Sequence, residues 1–366
     1  MNVKKILKGI LPYSVIQNRQ ARKTSNFLFS KLSSCIHSDD IKGDKCRFKY
    51  VIALQGFGYS GHTAILDLLR EYKTVLMPSD TMANLSKDKY IASPSIEVDF
   101  MRLAGGLIEY EKYLDGSNIF QNDAVLQRMF RLLGTSKFLQ LNERCKDLTA
   151  AFFYNLIDLN ISNLHTPLYN YHLQNNDDPN KNIYFPKCLT LEYYRSLCRD
   201  YLTSVWNSFY NDECDKRYII ADHLFSDLSI SIEDRFQYVP NLKTIVIYRD
   251  PRDVFASSIL YDVDWIPHNN VDDFICWWNH MFINFEPDNR AILYVKFEDL
   301  ILNYELTVKQ IEAYLDLSEK DHYYKYQCLN PKSSKNNIFM WKNLCDKRND
   351  IEVIEERLNK YCYYEQ

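Results

Sequence analysis

The chain has 366 residues, with 44 Lys+Arg against 48 Asp+Glu and a formal charge of −4. It is long enough for one large α/β domain or two smaller ones, and it lacks the basic excess of a general nucleic-acid binder. Its ten cysteines are scattered without a CxxC pair and its eight histidines without HxH or HExxH spacing, so neither a disulfide scaffold nor a metal centre is predicted and a reduced, cytoplasmic setting is expected.

The first 47 residues read as an N-terminal segment ahead of the folded body. Within residues 1–23, Lys4, Lys5, Lys8, Arg19, Arg22 and Lys23 surround the apolar pairs Ile6-Leu7, Ile10-Leu11 and Val15-Ile16. That is a basic amphipathic pattern suited either to weak contact with the inner membrane surface or to docking on the protein body. The apolar run is too interrupted for a signal peptide or a spanning helix.

A domain is expected over 48–366. Tyr50-Val-Ile-Ala-Leu54 predicts a buried strand, Gln55-Gly-Phe-Gly-Tyr-Ser-Gly61 a turn, and Ile65, Leu68, Leu69 and Tyr72 a helix. Glycines between a strand and a helix place backbone N–H groups and a helix N-terminus around a common centre, which favours an anion. Gly56 to Thr63 keeps the GxxxxGK[ST] spacing of a phosphate-binding loop, with His62 where the lysine would stand.

Residues 80–215 predict an inserted, mostly helical lid, with helical patterns around 105–115 and 122–160, a loop over 174–182 and a helix over about 189–210. Order returns as three further strands, Arg217 to Ala221, Thr244 to Tyr248 and Ala291 to Phe297, and a helix over Tyr304 to Leu315. Strands alternating with helices imply a parallel sheet with right-handed crossovers. The predicted fold is therefore α/β, a three-layer P-loop-like parallel sheet flanked by helices.

The strand Thr244 to Tyr248 delivers Arg249 into the turn Asp250-Pro251, with Ser257 eight residues on. A guanidinium at a strand end and a hydroxyl two helical turns later can converge on one phosphate. The competing reading is a surface salt-bridge cluster of Arg249, Asp250, Arg252 and Asp253.

Together the two motifs resemble the sulfotransferases that use 3′-phosphoadenosine 5′-phosphosulfate (PAPS). Ser60-Gly61-His62-Thr63 is similar to that family's 5′-phosphosulfate loop, and Arg249 with Ser257 to its 3′-phosphate site. Tyr218-Ile-Ile-Ala-Asp-His223-Leu resembles the strand that ends in a catalytic histidine. Val295-Lys-Phe-Glu-Asp-Leu300 resembles a strand-to-helix join of the family, and Lys335 to Lys342 its closing C-terminal segment.

The resemblance implies PAPS as co-substrate without a metal, bound by Gly58, Tyr59, Ser60, Gly61, His62, Thr63, Arg249, Ser257 and Lys335. It implies His223 as the base that deprotonates an acceptor hydroxyl, with Glu97 and Asp99 as rival bases. The acceptor is expected to be a small molecule or glycan, in keeping with the 28 tyrosines, and no nucleic acid is expected. Three positions depart from the family pattern: Tyr59 and Ala221 stand where cations are common, and Ser334 where an arginine is. The cation must then come from His62 or from Lys187, Arg195 or Arg102 of the insert. A degenerate P-loop nucleotide kinase and a non-catalytic nucleotide-binding protein remain as alternatives.

Overall fold

The computed structural model describes residues 43, 45–78, 94–114, 126, 129, 142–161, 183–210, 215–225, 231–282 and 291–364. The basic segment 1–23 and the loop 174–182 lie outside them. In chain order the elements used below are β1 (Tyr50–Gln55), α1 (His62–Arg70), β2 (Val75–Leu76), α2 (Pro94–Glu111), α3 (Glu143–Leu156), β3 (Ile157–Ile161), β4 (Ile183–Pro186) and α4 (Leu191–Ser208). They continue with β5 (Tyr218–Ile220), β6 (Leu242–Tyr248), α5 (Pro251–Leu260), α6 (Val271–Met281), β7 (Ile292–Lys296), α7 (Phe297–Leu302), α8 (Tyr304–Leu315) and α9 (Arg348–Arg357). They fall into two compact units, one of Met1–Arg47, Pro78–Tyr210 and Gln237–Val239, the other of Phe48–Met77, Asn211–Phe236 and Pro240–Gln366.

The second unit holds a five-stranded, all-parallel sheet in the order β2-β5-β1-β6-β7. Because side chains alternate across a strand, successive aliphatic residues serve different faces. Ile52 and Leu54 of β1 and Ile245 and Ile247 of β6 join one core with Ile65, Leu68 and Leu69 of α1 and Val308 and Ile311 of α8. Val246 of β6 points the other way and packs with Ile292, Phe57 and Tyr294. A further core joins Val254 and Phe255 of α5, Phe274 and Trp278 of α6 and Ile351 and Ile354 of α9. The sheet is thus flanked by helices, as the strand and helix alternation implies.

The register fixes where the loops emerge. Ile52 pairs with Ile220 and Gln55 with Val246, so the strand ends are stepped: β5 stops opposite Ile52, short of the end of β1, and β6 runs on past the partner of Gln55 to Tyr248. The chain leaves β1 towards β2 on one side and leaves β6 towards β7 on the other. Such a reversal opens a crevice at the carboxyl ends of the strands, where open α/β sheets bind ligands.

The other unit is built on α2, α3 and α4. Phe152 stacks on Tyr201 at 4.4 Å, Tyr201 shares a 2.8 Å hydrogen bond with Thr149, and Tyr194 donates to the carbonyl of Leu107. One expectation is corrected here. The helical pattern over 122–160 gives way at Ile157, where the chain enters β3 and pairs antiparallel with β4. Alternation in Ile157-Asp-Leu-Asn-Ile161 suits a strand, but five residues carry too little periodicity to stand out beside a long helix.

Candidate functional site

The turn after β1 is shaped by glycine where a side chain has no room. Gly61 sits at φ 89 as the N-cap of α1, and a Cβ there would lie far inside contact distance of the Phe297 ring. A Cβ on Gly56 would meet Ser60 Oγ at 2.5 Å and Ile247 Cγ2 at 2.9 Å. Tyr59 adopts φ 52, a left-handed value that is uncommon outside glycine and is concentrated at sites held in place by their surroundings. Ser60 is 3 % exposed and its hydroxyl has no hydrogen-bond partner. Burying a hydroxyl unpartnered costs on the order of 1–3 kcal/mol, so an orphan at the start of a nine-residue helix marks a place for a ligand acceptor. Gly58 lies in the same turn with φ 26, and Thr63, the second residue of α1, is exposed.

The Arg249 loop meets this turn directly. Arg249 Nη1 donates to the carbonyl of Tyr59 at 3.0 Å and to Ser257 Oγ at 3.1 Å, while Nη2 donates to the carbonyl of Asn337 and lies 3.3 Å from Met340 Sδ. Nε, also buried, has no partner. Burial presses the guanidinium pKa down, while Asp253, Glu298 and Asp250 nearby push it up. The four charged residues of the salt-bridge reading are buried, not superficial, and their roles differ. Asp250 caps α5 and binds Arg252 at 2.6 Å and the Tyr363 N–H at 2.8 Å. Asp253 accepts from the N–H groups of Phe339 and Trp341, and Arg252 lies 4.4 Å from the Trp341 ring centre. The segment around Trp341 is therefore held by α5. Lys335 is exposed on the wall of a separate cleft of about 700 Å³ that Tyr304 and Tyr326 also line.

His223 follows β5 with φ 57, its N–H bonded to the carbonyl of Leu54 at 2.9 Å. Its Nδ1 lies 3.3 Å from Asp222 Oδ1, and the same oxygen lies 2.8 Å from His62 Nε2. The two imidazole centres are 4.4 Å apart. Burial alone would raise the Asp222 carboxyl, but the charge of His62 and the hydrogen bonds from both imidazoles outweigh it and hold the group well below the usual carboxylate range. Donor atoms of the trio lie within 4.8 Å of one another, the one such grouping among the described residues, and each imidazole turns one ring nitrogen to the carboxylate.

Ser60, Gly61, His62, Arg249, Ser257 and His223 thus converge at the strand ends. Glu97 and Asp99 belong to α2 in the other unit, and their side chains, like that of Arg102, lie outside the described residues. Arg195 is engaged by Glu111 at 2.7 Å within that unit, and Lys187 lies over the Tyr154 ring. Sequence reasoning missed two contributors. Gln55, fully buried, donates to the carbonyls of Leu224 and Phe225 and so ties the His223 turn to the end of β1. Phe297 packs against Gly61 and lies 5.4 Å from the Arg249 guanidinium. A glutamine ending an aliphatic strand and an aromatic opening a helix were the only signals available.

Residues 213–352 match the family model of the sulfotransferase domain. The family read from the motifs is borne out at the level of that match, which spans less than half of the chain. The match includes His223, Arg249, Ser257 and the Trp341-Lys342 pair, while the glycine turn precedes it. Among solved structures the chain is similar to sulfotransferase STF1 from Mycobacterium tuberculosis H37Rv, with 14 % identity, 93 % of this chain and 82 % of that chain covered, and a TM-score of 0.40. It is also similar to the sulfotransferase domain of the Synechococcus PCC 7002 olefin synthase, at 12 % identity, 89 % and 98 % coverage and a TM-score of 0.36. Sulfotransferase STF9 from Mycobacterium avium stands at 11 % identity, 93 % and 80 % coverage and 0.36. No curated protein matches the chain in sequence.

Proposed function

We propose that the chain is a PAPS-dependent sulfotransferase that moves a sulfuryl group to an acceptor hydroxyl, with a carbohydrate as the favoured acceptor. The observation that carries the reading is the meeting of the two loops at one crevice, where Ser60 offers a buried, unpartnered hydroxyl and Arg249 a buried, unpartnered Nε. A nucleotide with anionic groups at both its 3′ and 5′ ends fits such a paired arrangement. The 5′-phosphosulfate is assigned to the turn Gly58 to Thr63 and the 3′-phosphate to Arg249 and Ser257, with Lys335 approaching from the C-terminal segment. Because the Arg249 Nη groups already bond the carbonyls of Tyr59 and Asn337, a phosphate that takes a second donor beside the unpartnered Nε must replace one of the Nη partners. Residues 335–341 are the segment we expect to shift.

Sulfuryl transfer asks the protein mainly to align two oxygens about sulfur and to neutralise charge as it spreads, much as phosphoryl transfer does. His223 accepts the proton of the acceptor hydroxyl, a contribution of typically ~10²–10⁴ in rate. Glu97 or Asp99 takes that part if His223 proves dispensable. The exposed rings of Tyr59, Tyr261 and Trp265 beside the turn support a flat-faced acceptor such as a sugar. A cytoplasmic location is part of the same reading and rests on the scattered cysteines, and contact of residues 1–23 with a membrane surface is a subsidiary proposal. No described helix is long and apolar enough to cross a membrane.

A thermal-shift comparison of adenosine 3′,5′-bisphosphate with ATP and Mg²⁺ tests the assignment. The bisphosphate should stabilise the protein, by about 2.7 kcal/mol at a hundredfold excess over Kd, and Arg249→Ala should abolish the shift. His223→Ala should keep the shift and lose transfer. Stabilisation by ATP alone would refute the assignment in favour of a kinase.

A further inference from the structure

We propose that His62 is a second catalytic histidine, the imidazolium that holds the oxygen bridging phosphorus and sulfur as that oxygen takes on charge. The inference rests on the sulfotransferase reading and adds to it a source for the missing cation. Its basis is the shared carboxylate of Asp222, which is buried and contacted at one oxygen by both imidazoles.

A buried carboxylate must be compensated. With one imidazolium the trio of Asp222, His62 and His223 is neutral. With none it carries a buried negative charge, and with two a buried positive one. The single-imidazolium state is therefore the one its burial favours, and it divides the two rings into an acid and a base. The two contacts differ in length: His62 Nε2 lies 2.8 Å from Asp222 Oδ1 and His223 Nδ1 3.3 Å from the same oxygen. In this assignment the acid is His62, the more closely held ring and the one that stands in the glycine turn, and the base is His223.

His62 is also placed for the task. It is the first residue of α1, and a Cβ added at Gly56 would meet both the orphan Ser60 hydroxyl, at 2.5 Å, and the His62 Cβ, at 3.1 Å, so the two residues border the same side of the turn. The positions that would otherwise supply a cation hold Tyr59 and Ala221, and the Arg249 Nη donors are directed at Tyr59, Ser257 and Asn337.

In the transfer, the acceptor oxygen forms a bond to sulfur as the bond from sulfur to the bridging oxygen breaks, and that electron pair stays on the 5′-phosphate. The acceptor proton passes to His223. His62 keeps its own proton and donates a hydrogen bond to the leaving oxygen. The extra proton on the trio then returns to solvent. Removing one such donor costs typically about 10²–10³ in rate.

The test compares His62→Gln with His62→Lys in the full-length protein. Gln keeps a hydrogen bond to Asp222 but no charge, whereas Lys restores the cation. The titratable groups facing position 62 are Asp222 and His223. The assay is single-turnover cleavage of PAPS by water to adenosine 3′,5′-bisphosphate and sulfate, which needs no knowledge of the acceptor. Binding of the bisphosphate by thermal shift serves as the check on folding and on the site.

Expected is a loss of about 10²–10³-fold for His62→Gln and less than about tenfold for His62→Lys, both still binding the bisphosphate. The alkaline limb of the pH profile should move up with Lys while the acid limb stays. Wild-type rates in His62→Gln, or a His62→Lys as inactive as His62→Gln, would overturn the proposal. So would a wild-type protein that binds the bisphosphate yet cleaves no PAPS, which leaves the nucleotide site standing. A wild-type protein that binds no bisphosphate refutes the sulfotransferase reading itself, and the proposal with it.

Discussion

Replacing Glu298 by Gln should make the protein more stable above neutral pH and leave it nearly unchanged in acid. Glu298, the second residue of α7, is fully buried beneath the Arg249 turn. One carboxylate oxygen accepts from the Asp250 N–H at 2.9 Å and the other has no partner. Burial is the main cause that pushes its pKa up to about 7 from an ordinary value of 4.5; the Asp250 charge adds to it, and the Asp250 N–H and Arg249 oppose it. A carboxyl that binds its proton more tightly when folded contributes stability that is full below about pH 4.5 and is lost as pH rises through about 7. With each pKa unit worth about 1.36 kcal/mol, the shift corresponds to roughly 3 kcal/mol. Gln keeps the acceptor for Asp250 and cannot ionise. Urea unfolding at several pH values should therefore give a difference between variant and wild type that grows by roughly 3 kcal/mol from pH 4.5 to pH 8. A difference that stays flat across that range, or wild type as the more stable form at pH 8, would refute the reasoning.

Other outcomes can be stated more briefly. Gly61→Ala should destabilise the chain by at least about 1–3 kcal/mol and abolish the bisphosphate thermal shift, because it forces a Cβ into the Phe297 ring at a positive φ. Asp253→Ala removes the acceptor for the Phe339 and Trp341 N–H groups, so limited proteolysis should cut within 335–345 several-fold faster, and an unchanged digest would count against the anchoring. Tyr59→Lys places a cation at the rim of the glycine turn, in a backbone conformation that strains either side chain equally. Equilibrium binding should show PAPS affinity rising about threefold to tenfold at low salt, with the gain fading as ionic strength increases.

What the sequence made legible was local. β1, β6 and β7 are short runs dominated by aliphatic residues, and the predicted helix over Tyr304 to Leu315 has the observed bounds because Asn303 and Asp316 bracket a clear apolar stripe. The convergence of Ser60 and Arg249 was also readable, since each motif sits at a strand end and parallel strands bring such ends together. By contrast, β2 has two residues and no pattern of its own. Pairing between His62 and Asp222 spans 160 positions, and no periodicity reports it. The orphaned state of the Ser60 hydroxyl depends on everything packed around it, so only three-dimensional packing reveals it.

The grip of α5 on the far end of the chain bears on how the protein is made. During synthesis, Arg249 and Arg252 leave the ribosome well before Asn337 and Tyr363, whose carbonyls they bind. Until those later residues emerge, two cations intended for the interior have only part of their counterparts, and the nucleotide crevice lacks a wall. A nascent chain should hence hold no bisphosphate, and premature termination anywhere between them should yield a product that is quickly cleared, not a weakened enzyme.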